Sequence, residues 1–269
     1  MPESTLFELS KGGTPLLVSM PHSGILAPPD LIPRFTENAL PLPDTDRHVE
    51  RLYDFASELG ATVIQANYSR YVVDLNRPPD GATLYAGANN TELCPLTTFD
   101  YQPIYRVGDS PDIDEIAWRV ERYWKPYHDR LTIELDRIVQ RFGYALLFDA
   151  HSIRSRVPRF FNGELPSFSL GTGGGLSADP WLVDRLTAVC AAAEGYTAVC
   201  NGRFKGGHIT RHFGAPDRHI HAVQMELSQD TYMNEQPPYE YDEKKAGRVR
   251  PTLRAVLKAM LDWGREIYG

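Results

Sequence analysis

Two histidines, His22 in Pro21-His22-Ser23-Gly24 and His151 in Asp149-Ala150-His151-Ser152, each follow a short apolar run and each precede a serine. An imidazole just past a strand end can face a pocket instead of a core, and two in matching contexts suit a metal centre. A catalytic zinc takes three protein ligands drawn from His, Asp and Glu and keeps one position open for water. The candidate third ligand is Asp46, with Asp44 as the alternative. Both stand ahead of a helical apolar period, where an aspartate also serves simply as a cap. Asp149 reads as an orienting partner of His151 or as a strand residue.

Glu226 lies in the apolar run Val223-Gln-Met-Glu226-Leu227, where an unpaired carboxylate is costly. Beside a metal it would carry a proton from water to a leaving nitrogen; the alternative is a structural salt bridge. Asn76-Arg77 combines a directional amide with a forked cation fit to grip a carboxylate, or else forms a surface ion pair. The stretch Gly206-Gly-His208-Ile-Thr-Arg211-His212 reads as a polar loop offering further cations and donors to an acidic substrate, or as helix caps and solvated side chains.

These residues need elements to hold them. Thr14–Met20, Ala61–Ala66, Arg70–Leu75, Tyr144–Phe148, Thr197–Cys200 and His219–Leu227 read as strands from their short apolar or alternating runs. Helices are expected from Asp44 to a cap at Gly60, from Ser110-Pro111-Asp112 with Pro at the first position and a kink at Pro126, from Asp179-Pro180 to before Gly195, and from Asp242 to Ile267. The Gly-rich stretch Gly171–Gly175 lacks the Lys and Ser/Thr of a phosphate loop and reads as a flexible covering. Residues 81–108 show little periodicity and read as a substrate-covering segment. Alternating strands and helices predict one α/β domain over residues 1–269, a mixed, mostly parallel sheet with helices on both faces. In such sheets ligands gather beyond the carboxyl ends of the strands, where His22, Arg77, His151 and Glu226 all fall.

Bulk properties narrow the function. The 269 residues are 42% hydrophobic and 23% charged, enough for a sizeable core without disulfides. A net charge of -7 argues against a nucleic-acid partner and favours a small metabolite. Cys94, Cys190 and Cys200 have neither disulfide-framework nor zinc-finger spacing. No basic leader with an apolar run and no membrane-length apolar segment is visible, so a cytoplasmic location is expected. Motifs for zincins, serine hydrolases and dinucleotide binding are absent. The sequence leaves oligomeric state open.

Taken together, Val18-Ser-Met-Pro-His22-Ser-Gly24, Asp44-Thr-Asp46-Arg-His-Val-Glu-Arg-Leu-Tyr-Asp54, Tyr68-Ser-Arg-Tyr-Val-Val-Asp-Leu-Asn76-Arg77-Pro78, Asp149-Ala-His151-Ser152 and Gly206-Gly-His208-Ile-Thr-Arg211 resemble the N-formylglutamate amidohydrolase family over most of the chain. The family is distantly similar to zinc carboxypeptidases and aspartoacylase-like deacylases. The resemblance implies a zinc-exopeptidase-like fold and hydrolysis of N-formyl-L-glutamate to formate and L-glutamate, a step of histidine breakdown. The ion it implies is zinc, or another divalent metal such as cobalt. It carries over His22 and His151 as ligands, Asn76 and Arg77 as the carboxylate clamp, and Glu226 as the base that deprotonates the attacking water. A second cation from His208, Arg211 or His212 would take the other carboxylate. The wider pattern has a Glu three residues after the first histidine; here that position is Ile25, which cannot bind metal, so the carboxylate is sought at Asp46. Two other readings compete: a deacylase of another N-acyl amino acid, and a metal- or ligand-binding protein without turnover.

Overall fold

In the computed structural model, which describes residues 5–84, 87 and 89–269, a mixed sheet is flanked by helices on both faces. Among the described residues seven strands take part: β1 (Phe7–Ser10), β2 (Leu16–Met20), β3 (Thr62–Ala66), β4 (Ala145–Ile153), β5 (Phe168–Gly171), β6 (Ala198–Cys200) and β7 (Ile220–Ser228), in the order β1-β3-β2-β4-β7-β5-β6. The central four, β3-β2-β4-β7, run parallel; β1 and β5 join their neighbours antiparallel, and β6 runs parallel to β5. From β2 the chain goes to β3 on one side and later returns to place β4 on the other. The order therefore reverses between β2 and β4, which opens a crevice at their carboxyl ends.

Strand alternation decides what lines that crevice. Residues two apart share a face. Leu146, Phe148 and Ala150 of β4, with Val223, Met225 and Leu227 of β7, pack under α4 (Pro180–Ala191) and α6 (Glu243–Tyr268). Leu147 and Ala222 face the other core, under α3 (Lys125–Phe142). Asp149 and His151 continue the Leu147 face, and Gln224 and Glu226 continue the Ala222 face. All four polar side chains are thus delivered to the same side of the sheet, beyond the end of an apolar core. On α3 the residues Tyr127, Leu131, Leu135 and Ile138 recur with helical spacing and are buried. Each such fully buried large apolar side chain contributes roughly 1.5–3 kcal/mol.

Several expected elements differ. Arg70–Leu75 is not a strand. Its backbone turns instead, because Ser69 Oγ accepts from Tyr71 N at 3.2 Å and Asp74 Oδ1 from Asn76 N at 2.9 Å, local bonds that replace a ladder. Its residues Tyr71, Val72 and Val73 are buried in the core under α3 without joining the sheet. The helix expected from Asp44 shrinks to one turn, α1 (Val49–Leu52), with a 3₁₀ turn at Asp54–Ala56; His48, at φ +62°, is left-handed and prevents an earlier start. α2 (Ile113–Arg119) is capped by Asp112, whose side chain accepts from Glu115 N, so Pro111 precedes the cap and does not open the helix. The segment 206–214, expected as a loop, contains α5 (His208–Phe213). β1 and β5 are four-residue strands that the sequence patterns did not single out. The Pro126 interruption takes the form of a π-helical turn, Val120–Trp124, just before α3. Of the expected covering segment 81–108, Tyr85, Ala86 and Ala88 lie outside the described residues. No helix among the described residues is long and apolar enough to cross a membrane.

Two features of this frame have measurable consequences. After His22 the chain passes backbone against backbone along the segment that follows β3, with Leu26 N donating to Asn67 O at 2.9 Å and Ser69 N to Leu26 O at 2.8 Å. A Cβ on Gly24 would lie 2.3 Å from Tyr68 O. Gly24→Ala is therefore expected to cost about 1–3 kcal/mol, the range of overpacked sites. A denaturant titration checks it, and a midpoint equal to that of the parent protein would contradict the close approach.

His128 on α3 stacks on Trp124 at 3.6 Å between ring centroids, and its Nε2 donates to Leu75 O at 2.8 Å. Burial pushes its pKa down to about 3, with His208 and His212 adding to the effect against the Leu75 carbonyl. The unfolded chain takes up this proton near pH 6.5, whereas the folded one does not. The associated stability is fully present above 6.5 and is lost as pH falls from there towards 3. His128→Gln keeps a donor for Leu75 O and should flatten the fall of Tm between pH 6.5 and 4 without changing its shape above 7. An unchanged acid slope would contradict this.

Candidate metal centre and active-site cleft

His22 sits two residues beyond β2, and the chain around Asp46 returns to it, Asp46 N donating to His22 O at 3.0 Å. His151 lies near the end of β4, and Glu226 is its direct cross-strand partner on β7. One ligand atom from each of His22, Asp46 and His151 falls within 4.8 Å of the others, the one such group of metal-ligating side chains among the described residues. Asp46 Oδ2 is 3.0 Å from His151 Nδ1 and 3.8 Å from His22 Nδ1. It also accepts from Ser152 N at 3.2 Å. Asp46 caps no helix. Asp44 is not in the group: its Oδ2 accepts from Tyr71 Oη at 2.6 Å and Phe99 N at 2.9 Å, facing away.

The outer nitrogen of each histidine meets its own carboxylate. Asp74 Oδ1 is 2.7 Å from His22 Nε2, and Asp149 Oδ2 is 2.9 Å from His151 Nε2. This arrangement fixes the ring planes and leaves both Nδ1 atoms facing Asp46, as metal-ligating histidines are commonly held. Asp74 is a hub. Its second oxygen accepts from Arg70 Nη2 at 2.6 Å, and it closes the turn to Asn76. Asp149 is steadied by Ser19 Oγ at 3.0 Å, and that hydroxyl lies 3.1 Å from Tyr127 Oη.

The electrostatics are divided. Burial lowers the His22 pKa, assisted by Arg70 and opposed by Asp74 and Asp46, which favours the neutral form that a metal would require. Burial also disfavours charge on His151, but Asp149 and Asp46 outweigh it and raise its pKa well above the usual value. The Asp74 carboxyl, which burial alone would push up, is held well below the usual range by Arg70, His22 and Arg77. Burial pushes Glu226 up to about 8, against the pull of His151. Gln224 Nε2 donates to Glu226 Oε2 at 3.0 Å, and Gln224 Oε1 accepts from Gly207 N at 2.7 Å, which aims the carboxyl.

These groups line a cleft of about 520 Å³ whose walls also include Arg70, Arg77 and Arg203 and the rings of Phe99, Phe160 and Phe204. Arg77 reaches it with its guanidinium braced by Thr91 O and Thr91 Oγ1. Asn76 is buried as a connector: Nδ2 donates to Asp149 Oδ2 at 3.3 Å, and Oδ1 accepts from Ile209 N at 2.8 Å. A Cβ on Gly207 would lie 2.3–2.4 Å from the Asn76 amide, so only glycine lets α5 start this close. The helix turns the expected second cations away. His208 and His212 stack on each other at 5.0 Å, and His208 packs near Trp124 and His128; Arg211 Nε donates to Gly206 O. None of the three lines the cleft, where the backbone of Gly207 stands instead.

Sequence reasoning passed over Asp74, Arg70, Gln224 and Arg203. For the first two a signal existed: opposite charges four apart inside a run otherwise fit for burial. Gln224 was signalled by its position two residues before Glu226, hence on the same strand face. Arg203 carried no signal beyond its proximity to the Gly206-Gly-His208 stretch.

The family model described as N-formylglutamate amidohydrolase matches residues 14–233. Over 263 residues the chain is 54% identical to the N-formylglutamate deformylase of Pseudomonas aeruginosa, covering 98% of each. It is 53% identical over 258 residues to the Pseudomonas putida protein of the same name, covering 96% of each. The crystal structure of N-formylglutamate amidohydrolase from Ralstonia eutropha JMP134 superposes with a TM-score of 0.79 at 26% identity and 97% coverage of both chains. Sequence match and shared fold agree over nearly the whole length: the chain belongs to the N-formylglutamate amidohydrolase family.

Proposed function

We propose that this chain hydrolyses N-formyl-L-glutamate to formate and L-glutamate, using a divalent ion, zinc in the first place, held by His22, Asp46 and His151. The reading includes work in the cytoplasm by one domain spanning residues 1–269. It is carried by one observation: a buried His/Asp/His group within 4.8 Å, whose member His151 has Glu226 directly opposite on the neighbouring strand. Two imidazoles and one carboxylate are a donor set typical of catalytic zinc. The residues present fit such an ion, since Asp46, Asp74, Asp149 and Glu226 are all buried around His22 and His151, with Arg70 as a guanidinium paired among them. When bound, the ion would supply Lewis-acid polarisation of the amide carbonyl and make a neighbouring water more acidic.

The protein's own residues supply the rest. Glu226 accepts the proton of the attacking water as the new C–O bond forms, then delivers it to the nitrogen as the C–N bond breaks. Burial raises the proton affinity of this carboxyl, which suits delivery of the proton to nitrogen, and the positive charge of an ion held beside it would favour the ionised form that accepts the proton of water. Gln224 keeps the carboxyl aimed. Arg70, oriented by Asp74, places positive charge beside His22 where negative charge develops on the carbonyl oxygen. Arg77, with its fork braced by Thr91, binds the α-carboxylate and so sets the scissile bond over the ligand group.

Extraction of the ion with a chelator should abolish formate release, and added zinc or cobalt should restore it. Full turnover by demonstrably metal-free protein would refute the metal. Glu226→Gln should lower kcat by about 10²- to 10⁴-fold while metal content and KM change little. Retention of parental kcat would remove Glu226 from the reaction. Side-by-side kcat/KM for N-formyl-, N-acetyl- and N-succinyl-glutamate should favour the formyl substrate; a clear preference for a longer acyl group would replace the proposed activity with a related deacylation.

A further inference from the structure

An N-formylglutamate molecule has two carboxylates, and the cleft presents three guanidiniums, those of Arg70, Arg77 and Arg203. The charge of Arg70 is met by Asp74 at 2.6 Å. Arg77, braced by Thr91, directly follows Asn76, whose amide nitrogen is 2.9 Å from His151 Nε2, and is assigned to the α-carboxylate in the reading above. The expected partners for the second carboxylate, on α5, are not among the residues lining the cleft. Arg203 takes their place on the wall.

Arg203 enters from the loop after β6. Its Nε donates to Phe160 O at 2.7 Å and its Nη2 to Asn89 O at 2.8 Å, and its guanidinium carbon stands over the rings of Phe160 and Phe204 at 5.6 and 5.4 Å. Asn89 is tied down in turn, its Nδ2 donating to Arg159 O at 2.9 Å. Two backbone carbonyls and two ring faces fix the plane of the guanidinium. A fixed fork is what a bidentate carboxylate contact requires. The flanking rings suit the two methylenes that separate the α-carbon of glutamate from its distal carboxylate.

We propose that Arg203 is the specificity-determining residue of the cleft: it binds the side-chain carboxylate of the substrate, between Phe160 and Phe204, while Arg77 holds the α-carboxylate. The proposal rests on the deformylase reading above. It assigns to a residue outside every quoted motif the preference for an acidic side chain.

The test compares kcat/KM for N-formyl-L-glutamate and N-formyl-L-glutamine, which differ only at the distal group, in the parent, Arg203→Met, Arg203→Lys and Arg77→Met. A charge-assisted contact predicts that Arg203→Met loses about 10- to 100-fold on the glutamate substrate and little on the glutamine one, so the preference collapses. Arg203→Lys should retain part of the preference, and Arg77→Met should weaken both substrates alike. The ratio within one variant is independent of how much of the preparation is folded, so partial misfolding of Arg203→Met does not blur it. Equal losses on both substrates, or a preference that survives in Arg203→Met, would overturn the role. If the parent releases no formate from either, the deformylase reading fails by itself. Calorimetric binding of the same two compounds to the metal-loaded parent and Arg203→Met then decides the anchor: selective loss of the dicarboxylate supports it, and unchanged selectivity overturns it.

Discussion

Four carboxylates, those of Asp46, Asp74, Asp149 and Glu226, are buried together at the carboxyl end of a parallel sheet, and much of the surrounding structure answers that constraint. Buried carboxylates survive only when paired, hydrogen-bonded or protonated. Each solution is used here. Asp74 is ionised against Arg70 and His22, and Asp149 and Asp46 share the raised proton affinity of His151. Glu226, which has no such partner at bonding distance, keeps its proton to higher pH. A doubly charged ion between the two Nδ1 atoms and Asp46 would relieve the same excess. Such relief would be an electrostatic ground for the proposed metal binding, separate from any catalytic one.

The location of this cluster follows from topology and strand period. The reversal of strand order between β2 and β4 opens the crevice, and the alternation along β4 and β7 sends Asp149, His151, Gln224 and Glu226 into it. On the opposite face of the same strands, Phe148, Ala150, Val223 and Met225 are apolar and pack under α4 and α6. Rigid backing on one side and polar chemistry on the other are two readouts of one alternating pattern.

That pattern was legible without coordinates wherever local order and function coincide. The runs leading to His22 and His151 read as strands because they are short, apolar and bounded by turn residues. The mixed, mostly parallel sheet followed from their alternation with helices. Arg70–Leu75 misled because burial of Tyr71, Val72 and Val73 mimics strand composition, while side-chain bonds at Ser69 and Asp74 bend the backbone. His208, Arg211 and His212 misled for a different reason. Their residue types fit an acidic ligand, but a six-residue helix sets their direction, and Gly207, which caps it, lies where Asn76 leaves no room for a side chain. Arg203 comes from a loop after a three-residue strand, and its contacts with Phe160 and Asn89, more than 40 and 110 residues away in sequence, are not signalled by its local sequence.

The π-helical turn at Val120–Trp124 has a consequence for how this chain tolerates change in length. The wider turn accommodates an extra residue before Pro126, and with that phase the Trp124 indole nitrogen donates to Arg77 O at 3.0 Å. A helix rotates by about 100° per residue. Loss of a single residue from this turn would restore ordinary pitch and swing the indole off the backbone of Arg77, although every apolar contact type further along α3 could be kept. The segment therefore acts as a spacer whose length, more than its composition, is tied to the placement of Arg77, the proposed substrate clamp.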